Sequence, residues 1–163
     1  MVPDSGVSRI TIYRKFATKD ALAEEVIARE FRRYFERFVV EIVAADTVAD
    51  RVVFAFVSSL RAIAGNELIG GLLEAEPEQL VGSTEATGRT LAAVRIFVAG
   101  QLRREQQAGN VSPELDADLT AEMMVRISSS FLTVPSGIVD LDDDAQLAAI
   151  ARRYLVPMLE APS

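Results

Sequence analysis

Arg9, Arg14, Lys15 and Lys19 gather positive charge near the start of the chain, which suits either contact with an anion or a solvated surface. Residues 1–20 carry a net charge of +2, whereas the remainder carries −9 within a chain of 163 residues and net −7. Both lysines of the protein lie in this first segment. A cation such as Lys19 in the first turn of a helix opposes the helix dipole unless an anion sits there, and a helix N-terminus with a lysine beside it makes a ready phosphate site.

Most catalytic chemistries are shut out. The sequence has no Cys and no His, which removes disulfide scaffolds, thiolate or imidazole zinc sites, Cys nucleophiles and Ser-His-Asp schemes. An enzyme would have to run on carboxylates, Lys or Tyr. The carboxylate clusters Glu24-Glu25 and Asp142-Asp143-Asp144 fall on an outward helix face or at a helix start, where solvation or dipole pairing accounts for them. No enzymatic activity, metal or cofactor is therefore expected.

The elements that must position these residues read as helices. Half the residues are hydrophobic and a quarter are charged, as in a folded soluble protein. No segment approaches about 18 consecutive apolar residues and no basic stretch leads into an apolar run, so neither a membrane span nor export is expected, and the cysteine-free chain suits the cytoplasm. Apolar residues recur at helical spacing, without the sustained alternation or hairpin signals of β-structure, which predicts an all-α fold.

Thr18 can cap a long helix whose stripe holds Leu22, Val26, Ile27, Phe31, Tyr34, Phe35, Phe38 and Ile42, running to about Ala45 or breaking once on the way. Thr47 and Asp50 open the next helix, which Gly65-Asn66 stops. A shorter helix carries Leu68, Leu72 and Leu73 up to Pro77. Ser83 or Thr84 opens another, ending on Arg103-Arg104 and Gly109-Asn110. Ser112-Pro113-Glu114 signals a start whose main part falls nearer Asp116 or Asp118, with Pro135-Ser136-Gly137 as the stop. Asp142, Asp143 and Asp144 precede the last helix, through Leu147, Ile150, Ala151, Tyr154, Leu155 and Met158.

Near the start, Gly6 can take the left-handed conformation that ends one helix, Val7 can fill the turn, and Ser8 can cap the next helix. Ile12 and Phe16, four apart, share a buried face, so that Arg9, Thr11, Arg14 and Lys15 project on other sides. That arrangement suits the second helix of a helix-turn-helix, which presents donors to a major groove. The segment GVSRITIYRKFATKDAL, residues 6–22, resembles the end of the DNA-binding domain in TetR-family transcriptional regulators. It matches the turn, the T-x-Y core of the recognition helix, the aromatic at its close and the S/T-K-[DE]-x-L entry to the following helix.

The resemblance implies that Arg9, Ile10, Thr11 and Arg14 face bases or the sugar-phosphate wall, while Tyr13, Lys15 and Lys19 hold phosphates of double-stranded operator DNA. It implies a division into residues 1–44, the remnant of a DNA-binding domain with its linking helix, and residues 45–163, an effector-binding and dimerisation domain. The family's pocket lies among the middle helices, which nominates Phe54, Val57, Ala64, Leu72, Leu73 and Leu91, then Phe97 and Val98, with Arg95 and Arg126 as polar residues to watch. Glu122 stands four before Arg126 and can pair with it.

The family's last two helices form a four-helix bundle with a partner copy. Here that assigns Met123, Ile127 and Phe131, on a face of one helix that also holds Leu119, to a homodimer interface. On the other it assigns Leu147, Ile150, Ala151, Tyr154, Leu155 and Met158, with Ser128, Ser129 and Ser130 allowing close approach. The function implied is a ligand-responsive regulator, usually a repressor, bound to palindromic DNA and released by a small-molecule effector. Family members carry a full helix and most of another before the glycine that corresponds to Gly6, where this sequence has five residues. A helical dimeric ligand-binding module without DNA-binding ability is the alternative expectation.

Overall fold

The computed structural model describes residues 19–42, 44–66, 85–134 and 136–160. Among them the chain is all-helical, as its periodicity predicts. The helices are α1 (Lys19–Ile42), α2 (Val48–Ala64), α3 (Glu85–Gln107), α4 (Ala117–Thr133) and α5 (Asp144–Ile150). The last continues through a π-helical turn at Ala151–Leu155 and a 3-10 turn at Val156–Leu159. Residues 1–18, with the expected recognition helix and Thr18, the helix around Leu72 and Leu73, and the Ser83-Thr84 start lie outside the described residues, and Lys19 is the first residue of α1. None of the described helices is long and apolar enough to cross a membrane.

Caps explain the boundaries. At the start of α2, Thr47 Oγ1 accepts from the Asp50 N–H at 3.0 Å while the Thr47 hydroxyl donates to Asp50 Oδ2 at 2.7 Å. That hydroxyl, and then the Arg152 guanidinium, hold the Asp50 carboxyl below the usual carboxylate range. Asp116 caps α4 by accepting from the N–H groups of Asp118 and Leu119, and Asp143 caps α5 by accepting from Gln146. The Ser112-Pro113-Glu114 signal forms a turn instead of the helix start. Gln106 pins that turn to α3 by donating to the carbonyls of Ser112 and Leu115. Gly65 ends α2 with a right-handed backbone; a Cβ there would lie 2.9 Å from the Arg61 carbonyl oxygen, so the requirement is room. Gly109, at φ 78°, adopts the left-handed conformation after α3.

Helix α2 occupies the centre, packed against α1, α4, α5 and the turns that follow α5, while α3 lies along α4. Among the described residues Leu60, Leu147 and Leu155 are the largest fully buried side chains, joined by Val53, Phe56, Met124 and Ala151 in one core cluster. A second cluster seals α3 to α4 through Ala99, Leu102, Ala117 and Ala121, closed below by Val111 and Leu115. Arg61 ties the end of α2 to Asp142 and Asp144 ahead of and in α5, and Arg152 reaches Asp50 at 3.0 Å near the other end of α2. The π turn has a sequence cause. Pro157 lacks an N–H for the Arg153 carbonyl, and the Val156 N–H reaches back to the Ala151 carbonyl. The wider turn keeps Leu147, Ala151 and Leu155, each four apart, on one line facing α2.

Candidate functional site: an apolar cavity between four helices

Large apolar side chains on α1, α2, α3 and α4 leave a cavity of about 720 Å³ between them. From α1 come Tyr34, Phe35, Phe38 and Ile42; from α2, Val48, Val52, Phe56 and Leu60 among others. The α3 wall extends from Gly88 to Glu105, roughly 25 Å at the rise of an α-helix, so the space is elongated. Val125, Ser129 and Thr133 contribute the α4 side, and Leu155 reaches in from the π turn.

The aromatic wall is a contact series. Phe35 meets Phe97 edge-on at 4.8 Å between ring centroids, Tyr34 lies 5.5 Å from Phe38, and Phe38 stacks on Phe54 at 6.2 Å. The Tyr34 hydroxyl is 3.2 Å from Ser58 Oγ. Burial pushes the Tyr34 phenol up to about 12, against the opposing influence of the Ser58 hydrogen bond. It is therefore a neutral hydrogen-bonding group on an otherwise apolar wall.

Charged groups sit in two places. At one end Arg51 donates through Nε to the Ala45 carbonyl and through Nη1 to Glu105, whose second oxygen accepts from Asn110 at 2.8 Å. This closed network staples α2 to α3. On the α3–α4 side, Arg95 lies 3.5 Å from Glu122 and 3.9 Å from Asp118, Arg126 pairs with Glu122, and Arg103 pairs with Asp118. Chemically the arrangement can enclose an elongated apolar molecule and meet a polar end. No cluster of carboxylates suited to holding a metal occurs among the described residues.

Of the pocket residues expected from the sequence, Leu91, Arg95, Phe97, Val98 and Arg126 line the cavity. Phe54, Val57 and Ala64 do not: Phe54 stands behind Phe38, and Val57 packs on the core cluster. Leu72 and Leu73 lie outside the described residues. The α1 wall and the Arg51–Glu105 staple are additions. Tyr34, Phe35, Phe38 and Ile42 all belong to the apolar stripe read from the sequence, but periodicity does not distinguish a cavity wall from a filled core.

The residues assigned to a partner divide. Leu147, Ala151 and Leu155 are 0 %, 0 % and 2 % exposed within the single chain, so they are core and have no surface to offer a second copy. Ile127, Phe131, Ile150 and Met158 are partly buried against the same core, Phe131 meeting Phe56 edge-on at 5.5 Å. Met123 and Tyr154 are exposed. Ser128, Ser129 and Ser130 donate to carbonyls of their own helix, and the fully buried small side chains of the α3–α4 contact are Ala99 and Ala121.

No protein-family model matches the chain. It is similar to two uncharacterized HTH-type transcriptional regulators of Mycobacterium tuberculosis, Rv1255c of strain H37Rv and MT1294 of strain CDC 1551. Each is 23% identical over 159 residues, which span 98% of this chain and 73% of the relative. Among solved structures, the transcriptional regulator FadR from Bacillus subtilis in complex with stearoyl-CoA superposes with a TM-score of 0.72 at 19% identity, over 97% of this chain and 84% of FadR. The chain thus shares the helical fold of a transcriptional regulator.

Proposed function

We propose that this chain is a ligand-responsive transcriptional regulator of the TetR type, a cytoplasmic binding protein and not an enzyme. In this reading residues 1–44 carry the remnant of the DNA-reading unit with its linking helix, residues 45–163 supply the rest of the effector site and the dimer contacts, and a homodimer represses from a palindromic site. The observation that carries it is the cavity's α1 wall. Helix α1 begins within the segment 6–22 that resembles the end of a DNA-binding domain, and its Tyr34, Phe35, Phe38 and Ile42 line an effector-sized space. An occupant that favours one setting of α1 shifts operator affinity by the ratio of its affinities for the two settings. FadR, which shares the fold, was solved with stearoyl-CoA, and an elongated apolar cavity suits a long-chain occupant here too.

The test is selection of double-stranded DNA by the chain, followed by anisotropy titration at two salt concentrations. The expected product is a twofold-symmetric site whose binding weakens with salt. Substituting both Arg9 and Arg14 by Ala should cost at least about 2 kcal/mol if each guanidinium contacts base or phosphate. Recovery of no sequence, or full binding by the double variant, would overturn the proposal.

A further inference from the structure

The cavity's ionisable lining has an uneven charge. Among the described residues it holds three guanidinium groups, on Arg51, Arg95 and Arg126, against two carboxylates, on Glu105 and Glu122. The Arg103–Asp118 pair just beyond adds one charge of each sign. Arg51 and Glu105 satisfy each other in the staple described above, so the surplus cation belongs to the α3–α4 side. There Arg95 and Arg126 share Glu122, and the nearby Asp118 is already held by Arg103. A guanidinium has five N–H donors in a planar fork, so each of these arginines keeps donors for another acceptor. The wall beside them is apolar: Leu91, Val94 and Val98 on α3 and Val125 on α4.

We infer that the cavity takes a long hydrocarbon chain ending in a single carboxylate, with the carboxylate between Arg95 and Arg126 and the chain along α3 toward Leu102. A lining surplus of one positive charge balances one negative charge. It offers little to a head group of several phosphates, and it disfavours an ammonium. The inference rests on the reading of this space as an effector site, but it concerns ligand chemistry and is tested without DNA.

The experiment is calorimetric titration of the whole chain with four compounds of equal chain length: a saturated carboxylate, the alcohol, the amine and the coenzyme A thioester. The carboxylate is expected to bind about tenfold or more tightly than the alcohol, the ratio given by one charge-assisted hydrogen bond, and the amine weakest. Arg95→Gln with Arg126→Gln should reduce that ratio toward one by weakening the carboxylate far more than the alcohol, which a merely structural role would not do. Glu122→Gln should raise carboxylate affinity, because it releases both guanidinium groups from their shared partner. Equal binding of carboxylate and alcohol, a ratio unmoved in the double variant, the thioester binding tightest, or no binding by any of the four would each overturn the inference. A separate DNA titration divides the two readings. A carboxylate that binds with this preference yet leaves DNA occupancy unchanged defeats only the regulatory function, and an alcohol that binds equally well and releases DNA defeats only the ligand assignment.

Discussion

At the scale of single residues, Tyr34 carries the clearest titration signature. Its phenol is held up to about 12 because ionisation would leave a charge beside the aromatic wall. In the unfolded chain the group titrates near its ordinary value of 10.0. The folded state therefore binds this proton more tightly, and the sign follows: the contribution is complete below pH 10 and is lost as pH rises toward 12. Spectrophotometric titration is expected to show a late phenolate component near pH 12 that disappears in Tyr34→Phe. At neutral pH the same substitution should cost about 1 kcal/mol, from the hydrogen bond lost with Ser58, measured by urea unfolding. A titration indistinguishable between the two proteins would show that the Tyr34 hydroxyl is not enclosed.

At the scale of elements, the contact between α3 and α4 depends on side chains that are nearly absent. Ala99 and Ala121 are fully buried, so the two backbones approach as closely as a methyl group allows. Ala121→Leu inserts volume where nothing can yield and should cost about 1–3 kcal/mol, seen as a lower urea midpoint with an unchanged slope. The helix boundaries were legible because their causes are local: Thr47 with Asp50, Asp116 with Asp118, and Asp143 each place a side-chain acceptor before a helix. The serines at 128–130 satisfy their hydroxyls on carbonyls of their own helix, a local option that every helical serine has. The π turn had a local signal in Pro157, but its register depends on the line that Leu147, Ala151 and Leu155 keep against α2. The cavity had none. A wall residue and a core residue present the same apolar pattern, and only the fit between four helices leaves the space.

At the scale of the whole molecule, the question is what the uncovered apolar surface of α4 and the last helical segment does. Leu119 and Met123, four apart on α4, are 58 % and 43 % exposed, and Tyr154 is 58 % exposed. Leu147, Ala151 and Leu155 are already spent on the chain's own core, so the proposed homodimer cannot use them, whereas the exposed Leu119 and Met123 on α4 are open to a second copy. A twofold contact would set each stripe against its copy, and every apolar side chain placed there would count twice. Exchanging Leu119 and Met123 for Glu puts like charges face to face across such an axis while leaving the core untouched. The expected result is a fall from dimer to monomer in sedimentation equilibrium, with helical content preserved by circular dichroism. Leu155→Glu, by contrast, buries a charge and should unfold the chain before it changes any association. If the unaltered protein sediments as a monomer at micromolar concentration, two reading segments have no common body to space them, and the proposal of a palindromic operator falls with the dimer.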